Sequence, residues 1–224
     1  KKLMQTQLEF ALLKEKNEAA KKIIEAEEKE RKRIAEDLHD GIGQMMSAVK
    51  MNLSSLSDKV ELMNEQDKTL LEKTLALADE SCKEVRSISH SMMPNALLKT
   101  GLSNAVKAFI DKIDHKKINV QLHAEGLEEK LDDNIEIVLY RVIQETVNNV
   151  IKHANANQLD ISIIKDEDGI ACTIEDNGIG FNKADMNNGI GLKNIQTRVA
   201  YLNGTVEFDS EKNKGTLVAI HVPC

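Results

Sequence analysis

The chain has 224 residues, 41% hydrophobic and 30% charged, with a net charge of −7, a pI near 5.5 and only six aromatic residues, none of them Trp. That acidity and the scarcity of stacking rings argue against a nucleic-acid surface. No apolar run approaches the ~18 residues of a membrane helix, the N-terminus has no signal-peptide core, and the composition is that of a soluble chain long enough for one large or two modest domains. Cys82, Cys172 and Cys224 are widely spaced with no CxxC pair. This points away from a disulfide framework or zinc site and toward a reducing, cytoplasmic setting.

Residues 1 to 93 hold no proline and only Gly41 and Gly43, whereas nine of the eleven glycines follow Pro94. Before the break, apolar residues recur at steps of three and four: Leu3, Phe10, Leu13, Ala20, Ile24, Ile34, Leu38, Ile42, Met45, Val49, Leu53, Leu56, Val60 and Met63. The spacing predicts one very long helix. A second stripe through Leu71, Leu75, Ala78, Val85, Ile88 and Met92 predicts its antiparallel partner, with Asn64-Glu65-Gln66-Asp67 as the turn. A lone hairpin cannot bury both stripes, and residues 1 to 36 carry eighteen charges around a heptad seam. A parallel homodimer, with a coiled coil feeding a four-helix bundle, satisfies both facts. Asn17, Glu27 and Arg31 fall on seam positions expected to be apolar.

After Pro94, helical stripes at 102 to 115, 131 to 154 and 191 to 202 alternate with strand-like runs at 118 to 124, 158 to 165, 169 to 176, 204 to 209 and 215 to 222. This predicts an α+β layer sandwich, a mixed sheet with helices on one side. The resulting organisation is a coiled-coil helix over 1 to 27, a dimerisation hairpin over 28 to 93, a linker over 94 to 101 and a second domain over 102 to 224.

The helix through Val138, Leu139, Val142, Thr146 and Val150 has an ordered polar face, with Glu145, Asn149 and His153 in one stripe and Gln144, Asn148 and Lys152 in the next. Hard oxygen donors suit Mg²⁺, and Lys152 and His153 can meet phosphate. Asp176-Asn-Gly-Ile-Gly180 follows a strand, and Gly189-Ile-Gly191 opens a helix. Paired glycines admit a ligand to the backbone, and a helix N-terminus presents N–H groups to phosphate. Asp176, with no basic neighbour in sequence, suits an adenine amino group.

These motifs, with Gly215-Thr216, resemble the nucleotide-binding boxes of the ATPase fold shared by histidine kinases, gyrase, Hsp90 and MutL. The resemblance implies Asn149 on Mg²⁺ with Glu145 as a possible second donor, and Lys152 and His153 near the phosphates of ATP. It places Asp176 on adenine with Thr216 beside it, and Gly178, Gly180, Gly189 and Gly191 shaping the pocket.

In the long helix stands His39-Asp40-Gly41-Ile42-Gly43-Gln44. Leu38 and Ile42 are expected on the core seam, leaving His39 on the bundle surface. Two glycines cost a helix about 2 kcal/mol relative to alanine, and α-helical geometry lays residue 43 over residue 39, so Gly43 is expected to uncover the imidazole. An exposed imidazole is mostly neutral near pH 7 and can attack phosphorus, with Asp40 as acceptor for its second ring proton and Gln44 one turn beyond. The block resembles the phosphoacceptor region of sensor histidine kinases of the NarL/DesK type. In them this arrangement supplies phosphoacceptor, base and phosphatase residues, here His39, Asp40 and Gln44. Met93 stands where an arginine is common, and Leu202-Asn203-Gly204 replaces a usual Leu-Gly-Gly.

The resemblance implies autophosphorylation from ATP·Mg²⁺, transfer to a NarL/LuxR-type response regulator, phosphatase activity on that regulator, and a cytoplasmic location, either alone or as the cytoplasmic part of a membrane-bound sensor. Two rivals are a water-splitting ATPase of the same fold, with Glu145 as base, and a non-catalytic nucleotide-binding dimeric scaffold.

Overall fold

The computed structural model describes residues 2–57, 64–92, 95–182 and 190–224. It divides into two compact units, one of Glu25–Asn95 and one of Ala96–Cys224 together with Lys1–Ile24. Among the described residues no helix is long and apolar enough to cross a membrane.

The first unit is a helical hairpin. From Glu25 on, helix α1 (Lys2–Asp37) leads through a π-turn (Leu38–Gly43) into α2 (Gln44–Ser57), and α3 (Glu65–Met92) returns alongside. Of the turn expected over 64 to 67, Glu65, Gln66 and Asp67 belong to α3. Asn64 caps that helix by accepting the N–H of Asp67 at 2.8 Å. The preceding residues, Val60 and Met63 among them, lie outside the described residues.

The helices approach where side chains are small. Ala35, Ala78, Cys82 and Ser89 are buried, and the Ser89 hydroxyl donates to the Ala35 carbonyl at 3.0 Å. Asp79 of α3 accepts from Lys50 of α2 and from Lys83, and the two ammonium groups hold its carboxyl down at about 2. Glu27 and Arg31, the charged seam pair, bond to each other one turn apart at 2.9 Å. In the single chain Met45, Val49 and Leu56 of α2 and Leu70, Leu77 and Ile88 of α3 stay exposed.

In the second unit the stretch expected as a linker is helical from Asn95. Helix α4 (Asn95–Ile110) is interrupted at Gly101, whose φ of 79° no ordinary side chain adopts comfortably. The carboxylate of Glu136, only 2% exposed, accepts the N–H of Leu102 just after that break. Burial outweighs these hydrogen bonds and pushes its pKa up.

The remaining elements are β1 (Asn119–Glu125), α5 (Asp133–Asn149) running into a second π-turn (Val150–Ala154), β2 (Gln158–Asp166), β3 (Gly169–Asp176), α6 (Ile190–Tyr201), β4 (Thr205–Glu211) and β5 (Gly215–Val222). They form a five-stranded sheet in the order β1-β2-β3-β5-β4, with β1 parallel to β2 and every other pairing antiparallel. The mixed sheet is therefore as expected. Leu159, Ile161 and Ile163 of β2, Ile170 and Ile174 of β3, and Val218 and Ile220 of β5 are buried on its helix side. Against them α5 sets Leu139, Ile143 and Val147 at four-residue steps, each fully buried and contributing about 1.5–3 kcal/mol. Asn203 occupies the left-handed conformation at φ 55°, which asparagine tolerates better than most residues, so it can stand in for the more usual glycine.

Candidate functional site

The hairpin carries the phosphoacceptor candidates. His39 and Asp40 are exposed in the π-turn, and Nδ1 of His39 lies 2.8 Å from Oδ1 of Asp40. Neighbours on an α-helix diverge by about 100°, and the wider π-turn accompanies their approach. With Nδ1–H donating to the carboxylate, the lone pair is on Nε2, the nitrogen turned away from Asp40.

The π-turn also corrects the expectation for Gly43. A side chain there would meet the Leu38 carbonyl at 3.4 Å, five residues back, and not the His39 ring, while nothing lies within 4 Å of a methyl at Gly41. Ile42, expected on the seam, is 43% exposed in this chain, while Leu38 is half-buried. Gln44 begins α2 with its side chain exposed and its N–H bonded to the Gly41 carbonyl.

The second unit encloses a cavity of about 410 Å³ between α5, the strand ends and α6. Its polar wall includes Asn149, His153, Asp176 and Thr216, and its apolar wall includes Ile174, Leu192, Ile195 and Val218. Gly180 and Gly191 line it. Lys152 is exposed and is not part of this wall, and Gly189 lies outside the described residues.

The glycine motif after β3 is held by the end of α5. Ile179 N–H donates to the Ala154 carbonyl at 2.7 Å, and any side chain at Gly178 would collide with that carbonyl. Asn177 accepts the N–H groups of Asn157 and Gln158, each at 3.0 Å, and so pins the strand entry. At the opposite wall, a Cβ on Gly191 would stand 2.7 Å from Glu145 Oε1 and 3.2 Å from Asn149 Nδ2. The start of α6 thus lies directly over the half-buried Glu145 and Asn149.

Asp176 is 5% exposed and accepts from the Gly178 N–H at 2.8 Å and from both the hydroxyl and the N–H of Thr216. Burial pushes its pKa up in spite of these donors. A buried carboxylate on the wall of a partly apolar cavity suits a ligand that brings its own N–H donor. Two residues went unnoticed in the sequence. Phe181 lines the cavity and directly follows Gly180, a position that could have flagged it. Ser210 accepts the Phe181 N–H at 2.9 Å and has no distinguishing pattern around it.

A family model described as histidine kinase matches residues 30–97, and one described as histidine kinase-, DNA gyrase B- and HSP90-like ATPase matches residues 134–224. The chain belongs to the sensor histidine kinases, of the NarL/DesK type. It is 33% identical over 208 residues to the oxygen sensor histidine kinase NreB of Staphylococcus carnosus, covering 90% of this chain and 58% of that protein. It is 30% identical over 214 residues to the signal transduction histidine-protein kinase/phosphatase DegS of Brevibacillus brevis, covering 94% of this chain and 55% of that protein. A histidine kinase domain from the blue-light activated histidine kinase of Erythrobacter litoralis EL346 aligns at 14% identity and a TM-score of 0.48, over 80% of this chain and 94% of that one. The chain spans about half the length of the curated relatives it matches.

Proposed function

We propose that the chain is the catalytic core of a homodimeric sensor histidine kinase. ATP in the second unit phosphorylates His39, the phosphoryl group passes to an aspartate of a NarL/LuxR-type response regulator, and a second state of the protein dephosphorylates that regulator. The observation that carries this reading is the His39–Asp40 pair, with Nδ1 committed to the carboxylate and Nε2 left for attack.

In the first step the Nε2 lone pair forms a bond to the γ-phosphorus, and the bond from that phosphorus to the β,γ-bridging oxygen breaks to release ADP. The Nδ1 proton, now on a cationic ring, is shared with or passed to Asp40. Such transfers are mostly positioning and charge stabilisation, so the protein's part is to present Nε2 and hold the ring. In the second step the phosphorus moves from Nε2 to the regulator carboxylate.

ATP fits the cavity by chemistry: Asp176 accepts the adenine amino group, the apolar wall covers the base, and Asn149 and His153 lie toward the phosphates. Glu145 and Asn149, brought together under Gly191, supply oxygen donors for Mg²⁺. Among the described residues no group of three or more His, Cys, Asp or Glu could hold a metal by itself. Two oxygens completed by phosphate and water match the ordinary habit of this ion. When bound it neutralises phosphate charge.

The homodimer is supported by the apolar side chains that α2 and α3 leave exposed, which a second hairpin would cover. The phosphatase reading is supported by Gln44 beyond Asp40 and by the similarity to DegS, a histidine-protein kinase/phosphatase by name.

The test is incubation with γ-labelled ATP and Mg²⁺. The parent is expected to take up an acid-labile, base-stable label that His39→Ala lacks. ATP turnover that survives His39→Ala and disappears in Glu145→Ala would instead establish a water-splitting ATPase. Nucleotide binding without label or turnover, and with no activity on phosphorylated regulator, would leave a scaffold.

A further inference from the structure

We infer that Ser210 is a positioning residue for nucleotide selectivity: its hydroxyl orients Thr216 so that the Thr216–Asp176 pair presents one acceptor to an amino-bearing base. This deepens the reading of the cavity as an ATP site and rests on it.

Ser210 is on β4 directly opposite Thr216 of β5 and is 8% exposed. Its Oγ lies 2.9 Å from the Phe181 nitrogen, 3.0 Å from Thr216 Oγ1 and 3.2 Å from the Gly215 carbonyl oxygen. A hydroxyl has one hydrogen and two lone pairs. The Phe181 N–H can only donate, so it takes a lone pair.

The single Ser210 hydrogen then goes either to Gly215 or to Thr216. Thr216 in turn has one hydroxyl hydrogen, which can reach Ser210 or Asp176. An ionised carboxylate is the stronger acceptor, so the Thr216 hydrogen goes to Asp176. If the Ser210 hydrogen went to Gly215, two hydroxyl oxygens would face each other at 3.0 Å with no hydrogen between them. The arrangement that avoids this runs in one direction, from Phe181 N–H to Ser210 O–H to Thr216 O–H to Asp176.

That direction has a consequence at the cavity. A carboxylate offers about four lone-pair sites. Gly178 N–H, Thr216 N–H and Thr216 O–H occupy three of those on Asp176, which leaves one for a ligand donor. The same Ser210 hydroxyl fixes the backbone of Phe181, whose residue lines the cavity. Without Ser210, Thr216 loses the hydrogen bond that sets its rotamer, and the acceptor on Asp176 is no longer held toward the base.

The experiment is calorimetric titration of the full chain with ATP and with inosine triphosphate, which carries a carbonyl where adenine has its amino group. It is run on the parent, Ser210→Ala, Thr216→Val and the double variant, each checked for a native-like melting transition. The parent is expected to prefer ATP. Ser210→Ala is expected to weaken ATP roughly three- to tenfold, the scale of one net hydrogen bond, with little change for inosine triphosphate. In the Thr216→Val background the serine change should no longer alter the ratio, because its effect passes through Thr216.

Equal weakening of both nucleotides, an unchanged ratio in Ser210→Ala, or full additivity with Thr216→Val would each overturn the proposal while leaving the ATP site standing. A parent that binds neither nucleotide would overturn the functional reading and this inference with it. If Ser210→Ala does not fold, Ser210→Thr, which keeps the hydroxyl, must retain the parent preference, and its loss would count against the proposal.

Discussion

Nδ1 of His39 and Oδ1 of Asp40 stand 2.8 Å apart across adjacent residues of a π-turn. The contact assigns the two ring nitrogens different work, because the one bound to the carboxylate cannot also attack. Asp40→Asn is expected to lower the rate of His39 labelling by roughly 10²- to 10⁴-fold, the usual worth of a positioned base, while ATP affinity stays at the parent value. Single-turnover labelling with γ-labelled ATP measures the first quantity and calorimetry the second. Loss of nucleotide affinity in this variant would mean that Asp40 acts elsewhere.

Gln44 opens α2 with its side chain exposed and its backbone N–H bonded to the Gly41 carbonyl. Nothing about the His39–Asp40 contact depends on it. Gln44→Ala should therefore abolish or strongly reduce dephosphorylation of a phosphorylated regulator and leave autophosphorylation within about twofold of the parent. A parallel fall in both activities would reject the division of roles.

Two glycines with opposite surroundings make a matched pair for stability measurements. A methyl at Gly41 meets nothing within 4 Å, whereas one at Gly178 runs into the Ala154 carbonyl. Gly41→Ala should stabilise the hairpin by about 1 kcal/mol, the ordinary helix preference for alanine. Gly178→Ala forces apart the junction between the end of α5 and the Asp176 motif, at a cost of about 1–3 kcal/mol. Thermal unfolding should show a rise for the first and a fall for the second, and the second should also lose nucleotide affinity.

Asp176 gives the cavity a pH dependence. An unfolded carboxyl titrates near 4, and burial raises the folded value above that. Between the two values the folded chain holds a proton that the unfolded chain has released. Stability therefore falls as pH rises through this window, and the penalty is complete once the folded carboxyl has ionised. Ligand binding runs the other way, because only the ionised form can accept from adenine without giving up an oxygen to its own proton. ATP affinity is expected to fall on acidification before ordinary carboxylates titrate, with inosine triphosphate much less affected. Titrations from about pH 8 to about pH 5 check this, and Asp176→Asn should flatten the ATP curve at low affinity.

Much of the fold could be read from residue spacing alone. The alternation of 3.6- and 2-residue periods located α5, α6 and all five strands to within a few residues, because each buries one face on a single core. The residues that the structure gathers around one cavity, Asp176, Gly180 and Gly191, stand out in the sequence for a related reason: they are residue types that few other surroundings demand. Ser210 is not legible in the sequence, since a serine in a strand has no pattern of its own and its contacts exist only once the β4–β5 hairpin brings Gly215 and Thr216 opposite it and the chain returns Phe181 to it. The environment of Gly43 was misjudged for a different reason. An α-helix has 3.6 residues per turn, and the backbone at 38 to 43 does not keep that period. The start of α3 differs from the expectation because Glu65, Gln66 and Asp67 are as suitable for a first helical turn as for a loop.

Both segments that bear the proposed chemistry, Leu38–Gly43 and Val150–Ala154, are wound as π-turns within or at the end of an α-helix. A π-turn holds roughly one residue more than the α-turn it replaces, so an α-helical count carried straight through it is out of phase by about 100° beyond it. For anyone joining a foreign input helix to this core, the phase of α1 cannot be carried by simple counting past Leu38. A splice should be matched to the heptad frame upstream and left to inherit the offset. A chimera corrected to an unbroken α-helical count through residue 44 would arrive at Met45 and Val49 facing the wrong way.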